Sequence, residues 1–161
     1  MSGDSGGLSL RPIAGEDRAF VFELFSAVHG EALRFGGVPE AMVRQLLEHQ
    51  FKGQQGQYRA QYPGADFDLV LLDGIPVGYL YASRAPECFV LIDVALVPEV
   101  RGRGYATRLV VELLAEAGTL GAAVEAHVVR ESPAWRLWRR LGFEVCGDDG
   151  VYLAIRRRPD V

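Results

Sequence analysis

The residues from Cys88 to Val97 are almost wholly apolar, and Asp93 is their only charge. A strand with one wet face alternates apolar and polar residues. One that is apolar throughout has to be covered on both faces. This stretch therefore predicts a central strand with helices packed on each side. Pro98 ends it, since proline has no amide to donate to a ladder.

The segment after the strand is equally constraining. Arg101, Gly102, Arg103 and Gly104 make a glycine-rich turn, and Tyr105 opens a helical pattern with Ala106, Leu109, Val110, Leu113, Leu114 and Ala117 on one stripe. A helix start leaves about four backbone N–H groups without a partner and carries roughly half a positive charge. Glycines there let an anion reach the backbone, so the turn reads as a phosphate or pyrophosphate cradle, with Arg101 and Arg103 adding charge. It is not the dinucleotide fingerprint, because Thr107 stands where the third glycine belongs. It is not a P-loop, because no Gly-Lys-Ser/Thr follows.

The rest of the chain supplies the other elements. Leu8 to Ile13 predicts a first strand, and Asp17 a helix start. Phe20, Leu24, Phe25 and Val28 recur at helical spacing up to the break at Gly36-Gly37. A second helix begins at Pro39, with Met42, Val43, Leu46, Leu47 and Phe51 as its apolar face. Asp73-Gly74 joins two strands in a tight hairpin. Ala122 to Val129 predicts a strand and Pro133 to Leu141 a short helix stopped by Gly142. Phe143 to Cys146 and Val151 to Ile155 predict a closing pair of strands around the turn Gly147 to Gly150. The order β, α, α, three strands, then αβαββ predicts an α/β fold with a mixed, mostly antiparallel sheet of about seven strands and about four helices.

The chain has 161 residues, enough for one domain without staples. We expect a disordered start over residues 1–7 and a single domain over 8–161. The start lacks the apolar core of a signal peptide, and no apolar run is long enough to span a membrane, so a cytoplasmic protein is expected. Cys88 and Cys146 lie outside metal-ligand spacing and read as two buried thiols; no metal is expected. The net charge is −4, which argues against a broad nucleic-acid-binding face. Up to Ile92 acidic residues outnumber basic ones eleven to seven, and from Asp93 onward there are ten of each.

Arg101-x-x-Gly104-x-Ala106 after a long strand resembles the acetyl-CoA motif, Arg/Gln-x-x-Gly-x-Gly/Ala, of the GNAT acetyltransferases. Val124 to Val129, then Ala134 to Leu141 ending in Gly142-Phe143, resembles the second half of that family's site. Leu10 to Ile13 with Glu16-Asp17, and Asp73 to Gly78, resemble its start and its second hairpin. The resemblance covers nearly the whole chain in the right order. It implies the GNAT fold, with strands splayed at a coenzyme site and acetyl-CoA as co-substrate. An amine acceptor, a small molecule or a peptide, would be acetylated by direct attack. It also implies a homodimer, as family members often are. A non-catalytic acyl-CoA-binding regulatory module is the alternative.

The resemblance further implies site residues. The pantetheine arm would pair with Leu96 and Val97, and the Val97 N–H would serve the thioester oxygen. The amides of Gly102, Arg103, Gly104, Tyr105, Ala106 and Thr107 would hold the pyrophosphate, with Arg101 beside them. Ala134 would flank the coenzyme. The family's asparagine and tyrosine positions are occupied here by Glu131 and Trp138. Indole has no usable acidity near neutrality, so Trp138 is read as lining the coenzyme. Tyr152 and Tyr105 are stand-in candidates for the proton donor, with solvent, or a thiolate that leaves unaided, as the alternatives. Asp93, a lone carboxylate in an apolar strand, is costly to bury without a purpose. It is the candidate base, or the group that draws in a cationic amine, with a structural aspartate as the alternative. His127 lies on the second central strand and reads as a core histidine, with a place facing the cleft as the alternative; His29 and His49 read as surface or cap residues.

Overall fold

The structure, a computed structural model, describes residues 7–159. Seven strands form one mixed sheet: β1 (Leu8–Pro12), β2 (Asp66–Leu72), β3 (Ile75–Ala85), β4 (Cys88–Leu96), β5 (Ala123–Val129), β6 (Glu144–Asp148) and β7 (Tyr152–Arg157). Their order is β1-β2-β3-β4-β5-β7-β6. β4 and β5 run parallel, while β1/β2, β5/β7 and β6/β7 are antiparallel. The helices are α1 (Arg18–His29), α2 (Glu31–Phe35), α3 (Glu40–Gln61), α4 (Tyr105–Thr119) and α5 (Pro133–Arg140). The expected α/β fold is thus observed, with five helices rather than about four among the described residues.

The contacts gather into two compact units. One holds the residues up to Leu80 together with Ala95–Val100, and the other holds Tyr81–Val94 and the residues from Arg101 on. In the first, α1 packs on α3 through Phe22, Phe25 and Phe51, whose ring centroids lie 5.1 and 5.5 Å apart in the Phe25–Phe51 and Phe22–Phe51 pairs. Val43 and Leu47 complete the seam, and each such fully buried side chain contributes roughly 1.5–3 kcal/mol. The seam is narrower than the sequence pattern implied, because Met42 and Leu46 are about half exposed. The helix expected to continue to Gly36 is broken at Gly30. A Cβ there would stand 2.7 Å from the Ser26 carbonyl oxygen and 2.8 Å from Leu47, so only glycine fits the crossing.

Gly7, at the end of the stretch expected to be disordered, has a backbone partner. The Gly7 carbonyl accepts the Asp73 N–H at 3.1 Å; the expected disorder of residues 1–6 lies outside the described residues. Asp73 (φ 53°) and Gly74 (φ 82°) form the anticipated two-residue turn, both in the left-handed region that a type I′ turn requires.

In the second unit α4 buries Leu109, Val110, Leu113 and Ala117. Ser132 caps α5, its Oγ accepting the Trp135 N–H at 3.2 Å, and Pro133 occupies the first turn. Gly142 follows at φ 96°, and a Cβ there would lie 2.6 Å from the Arg157 side chain. That left-handed residue turns the chain so that Phe143 dives into the core at 2% exposure. This is the physical content of the Gly-Phe pair in the sequence. β6 starts one residue later than expected and runs on to Asp148. Cys88 is only half buried and Cys146 is exposed, which corrects the expectation of two buried thiols. No helix among the described residues is long and apolar enough to cross a membrane.

Candidate active site

β4 and β5 pair as Cys88↔Ala123, Phe89↔Val124, Val90↔Glu125 and Leu91↔Ala126, and the ladder stops there. β5 continues for three more residues, His127 to Val129, paired only to β7. β4 also continues, but its burial pattern slips. Phe89 and Leu91 are buried, and the next buried residue is Leu96, an odd-to-even change of parity. Asp93 itself is half buried and engages a partner, so it is not an isolated carboxylate.

Val97 lies just past the end of β4. Its N–H donates to the Val77 carbonyl at 2.8 Å, and its own carbonyl accepts the Val100 N–H at 3.2 Å. Both polar groups are therefore committed, and the expected role of the Val97 amide at a thioester oxygen is corrected. An N–H bonded to a neighbouring strand is not available to stabilise a developing charge.

Beyond the 3-10 turn Pro98–Val100, the glycine loop has the form the sequence implied. Gly102 (φ 76°) and Gly104 (φ 83°) are both left-handed, and Gly104 is the N-cap of α4. The first bond of the helix runs from the Arg108 N–H to the Gly104 carbonyl, 3.0 Å. The amides of Tyr105, Ala106 and Thr107 therefore have no acceptor within the helix. A Cβ built on Gly102 or Gly104 meets nothing within 4 Å. The space above this row of amides is open, as an anion would need it to be. Arg101 and Arg103 are exposed beside it.

The remaining candidates lie at the far end of β5. Glu131 has φ 64°, a left-handed conformation that costs glutamate about 1 kcal/mol and suits asparagine or glycine better. The backbone thus explains why an asparagine would sit well at this position. Ala134 is exposed in the first turn of α5, while Trp138 is 4% exposed and part of the core. Tyr105 is half buried. Tyr152 is 47% exposed and pairs with Val129, the last residue of β5.

Sequence reasoning undervalued two groups here. His127 is exposed, not a core histidine: β5 buries Val124, Ala126 and Val128 on one face and leaves His127 and Val129 on the other. Asp149 organises the turn before Tyr152. Its Oδ1 accepts the Val151 N–H at 2.9 Å and the Tyr152 N–H at 2.7 Å, which holds its carboxyl below the usual range. Asp148 accepts the Gly150 N–H and pairs with Arg130 at the end of β5, tying the turn down. The strict alternation of β5 was the signal for His127; nothing local announced Asp149. Among the described residues no cluster of three or more His, Cys, Asp or Glu could hold a metal.

The family model described as "Acetyltransferase (GNAT) family" matches residues 22–143, most of the chain, and this chain belongs to that family. Among solved structures it is similar to a PaiA N-acetyltransferase from Thermoplasma acidophilum in complex with coenzyme A, at 17% identity and a TM-score of 0.68, over 94% of this chain and 98% of that one. It is also similar to an acetyltransferase from Thermus thermophilus, at 23% identity and a TM-score of 0.63, over 94% and 96% of the two chains. At these identities the likeness establishes the fold. No curated protein sequence matches this chain.

Proposed function

We propose that this protein is an N-acetyltransferase that moves the acetyl group of acetyl-CoA to an amine by direct attack. The observation that carries the reading is the open glycine loop, Gly102 and Gly104 at positive φ heading α4, with no neighbour where a Cβ would stand. In this reading the amides of Gly102 to Thr107 hold the coenzyme's pyrophosphate, with Arg101 and Arg103 adding positive charge. The thioester arm lies along Leu96. Glu131, Ala134 and Trp138 belong to the coenzyme side of the site.

The acceptor arrives as an ammonium, since an alkylamine near pKa 10 is mostly protonated at neutral pH. The net charge of −4, concentrated before Asp93, favours such a cation. Asp93 draws it in or takes its proton. The C–N bond forms as the nitrogen attacks the thioester carbonyl, and the C–S bond then breaks. Tyr152 protonates the departing thiolate, because Trp138 cannot.

Titration calorimetry with acetyl-CoA, NAD and ATP tests the cradle, and thiol release with a panel of amines tests the transfer. Preference for NAD or ATP would defeat the reading. The indole in place of an acid favours one other function, a coenzyme-binding regulatory module. Tight coenzyme binding without thiol release on any amine would select it.

A further inference from the structure

His127 is the first residue of β5 beyond its last pair with β4, Leu91↔Ala126. It is exposed, and it projects from the sheet face opposite Val124, Ala126 and Val128. The register His127↔Ala154 and Val129↔Tyr152 makes Tyr152 its diagonal cross-strand neighbour on that same face. Diagonal neighbours stand roughly 7–8 Å apart at the backbone, within reach of two ring side chains. Asp149, which caps the Tyr152 and Val151 amides, feels the charge of His127. Three proton-handling groups therefore lie at the end of β5 beyond its last pair with β4. None of them is consumed by the core, and His127 has no other assignment.

We infer that His127 is the proton acceptor of the transfer, with Asp149 stabilising its imidazolium and Tyr152 completing a relay. This rests on the acetyl-transfer reading above and leaves Asp93 the role of attracting the amine. The ammonium first loses one proton to solvent water; as the free amine attacks and the C–N bond forms, its second proton passes to the imidazole. As the C–S bond breaks, the thiolate takes the Tyr152 hydroxyl proton. The imidazolium then returns its proton to the phenolate. The nitrogen exchanges one proton for the acetyl group, the sulfur the reverse, and the ammonium's other proton is released to solvent. The other charged and titratable groups of this unit near that face are Glu125 and Arg156, 3.5 Å apart, Glu144 opposite Arg156, Cys88 beside them, and the Asp148–Arg130 pair at the turn.

Two measurements on the full chain test this. Asp149→Asn keeps the Oδ1 that accepts both amides but removes the charge. The acid limb of its kcat/KM profile should move relative to that of the wild type; superimposable profiles would overturn the coupling. For catalysis, thiol release from acetyl-CoA is followed with spermidine, lysine and an unblocked peptide. His127→Gln should lower kcat/KM about 100-fold with the best of these amines, abolish the acid limb of the pH profile and leave coenzyme affinity unchanged. Added imidazole should restore part of the rate. A wild-type pH profile in a folded His127→Gln would refute the assignment. A wild type that binds acetyl-CoA but never releases thiol would instead bring down the acetyl-transfer reading itself, and the two failures are distinct.

Discussion

The Val97 N–H donates to the Val77 carbonyl across 2.8 Å, so the residue that ends the central strand is held by its neighbour rather than offered to a ligand. One residue further along β3, Gly78 faces the Ala95 carbonyl so closely that a Cβ would lie 2.2 Å from its oxygen. Gly78→Ala must push Ala95 to Val97 away from β3. The expected cost is about 1–3 kcal/mol, read as a lower melting temperature together with weakened acetyl-CoA binding. Wild-type stability in this variant would show that the strands have room to part.

The cradle makes a sharper prediction. Gly104→Val places a branched side chain in the open space above the helix amides and forces it into φ 83°. Coenzyme affinity should fall by at least about tenfold, or 1.4 kcal/mol. Calorimetry showing unchanged affinity in the folded variant would remove the pyrophosphate from this loop.

Asp93→Asn separates attraction from binding. Thiol release at sub-saturating amine should fall by about tenfold while acetyl-CoA affinity stays constant. If the rate is unchanged at every pH, Asp93 is a structural residue.

Acid stability should report on Asp17. Arg11 donates to both of its carboxylate oxygens, at 2.7 and 3.0 Å, and the Ala14 N–H adds a third bond at 2.8 Å. These hold the carboxyl at about 2, led by the Arg11 bond. An unfolded aspartate titrates near pH 3.9. The stability this group contributes is thus fully present above about pH 4 and is lost as the pH falls toward about 2. Arg11→Met should melt at a lower temperature than the wild type at pH 7, and the gap should narrow between about pH 4 and 2. A constant gap over that window would show that the ion pair is not its source.

Glu131 offers a stabilising change. At φ 64° glutamate is strained, and Glu131→Asn should recover a large part of about 1 kcal/mol without altering the fold. Thermal unfolding checks it, and a lower melting temperature would mean that the glutamate side chain supplies a compensating contact.

Much of this protein comes from short-range rules that the sequence states directly. Asp73-Gly74 makes its hairpin because only left-handed residues fit that turn. Gly104 heads α4, Ser132 and Pro133 open α5, and Gly142 closes it, all through backbone preferences acting over a few residues. The uninterrupted apolar run of β4 placed a central strand, and with the loop after it set the family. The tertiary structure decided the matters of partnership. Whether the Val97 amide is free depends on Val77, twenty residues away. Gly30 breaks a helix because α3 brings Leu47 against it. His127 and Tyr152 become neighbours on one sheet face only through the pairing of β5 with β7. A hydrogen bond or an exposed face is a property of two segments at once, and a one-dimensional pattern carries the preferences of each without the distance between them.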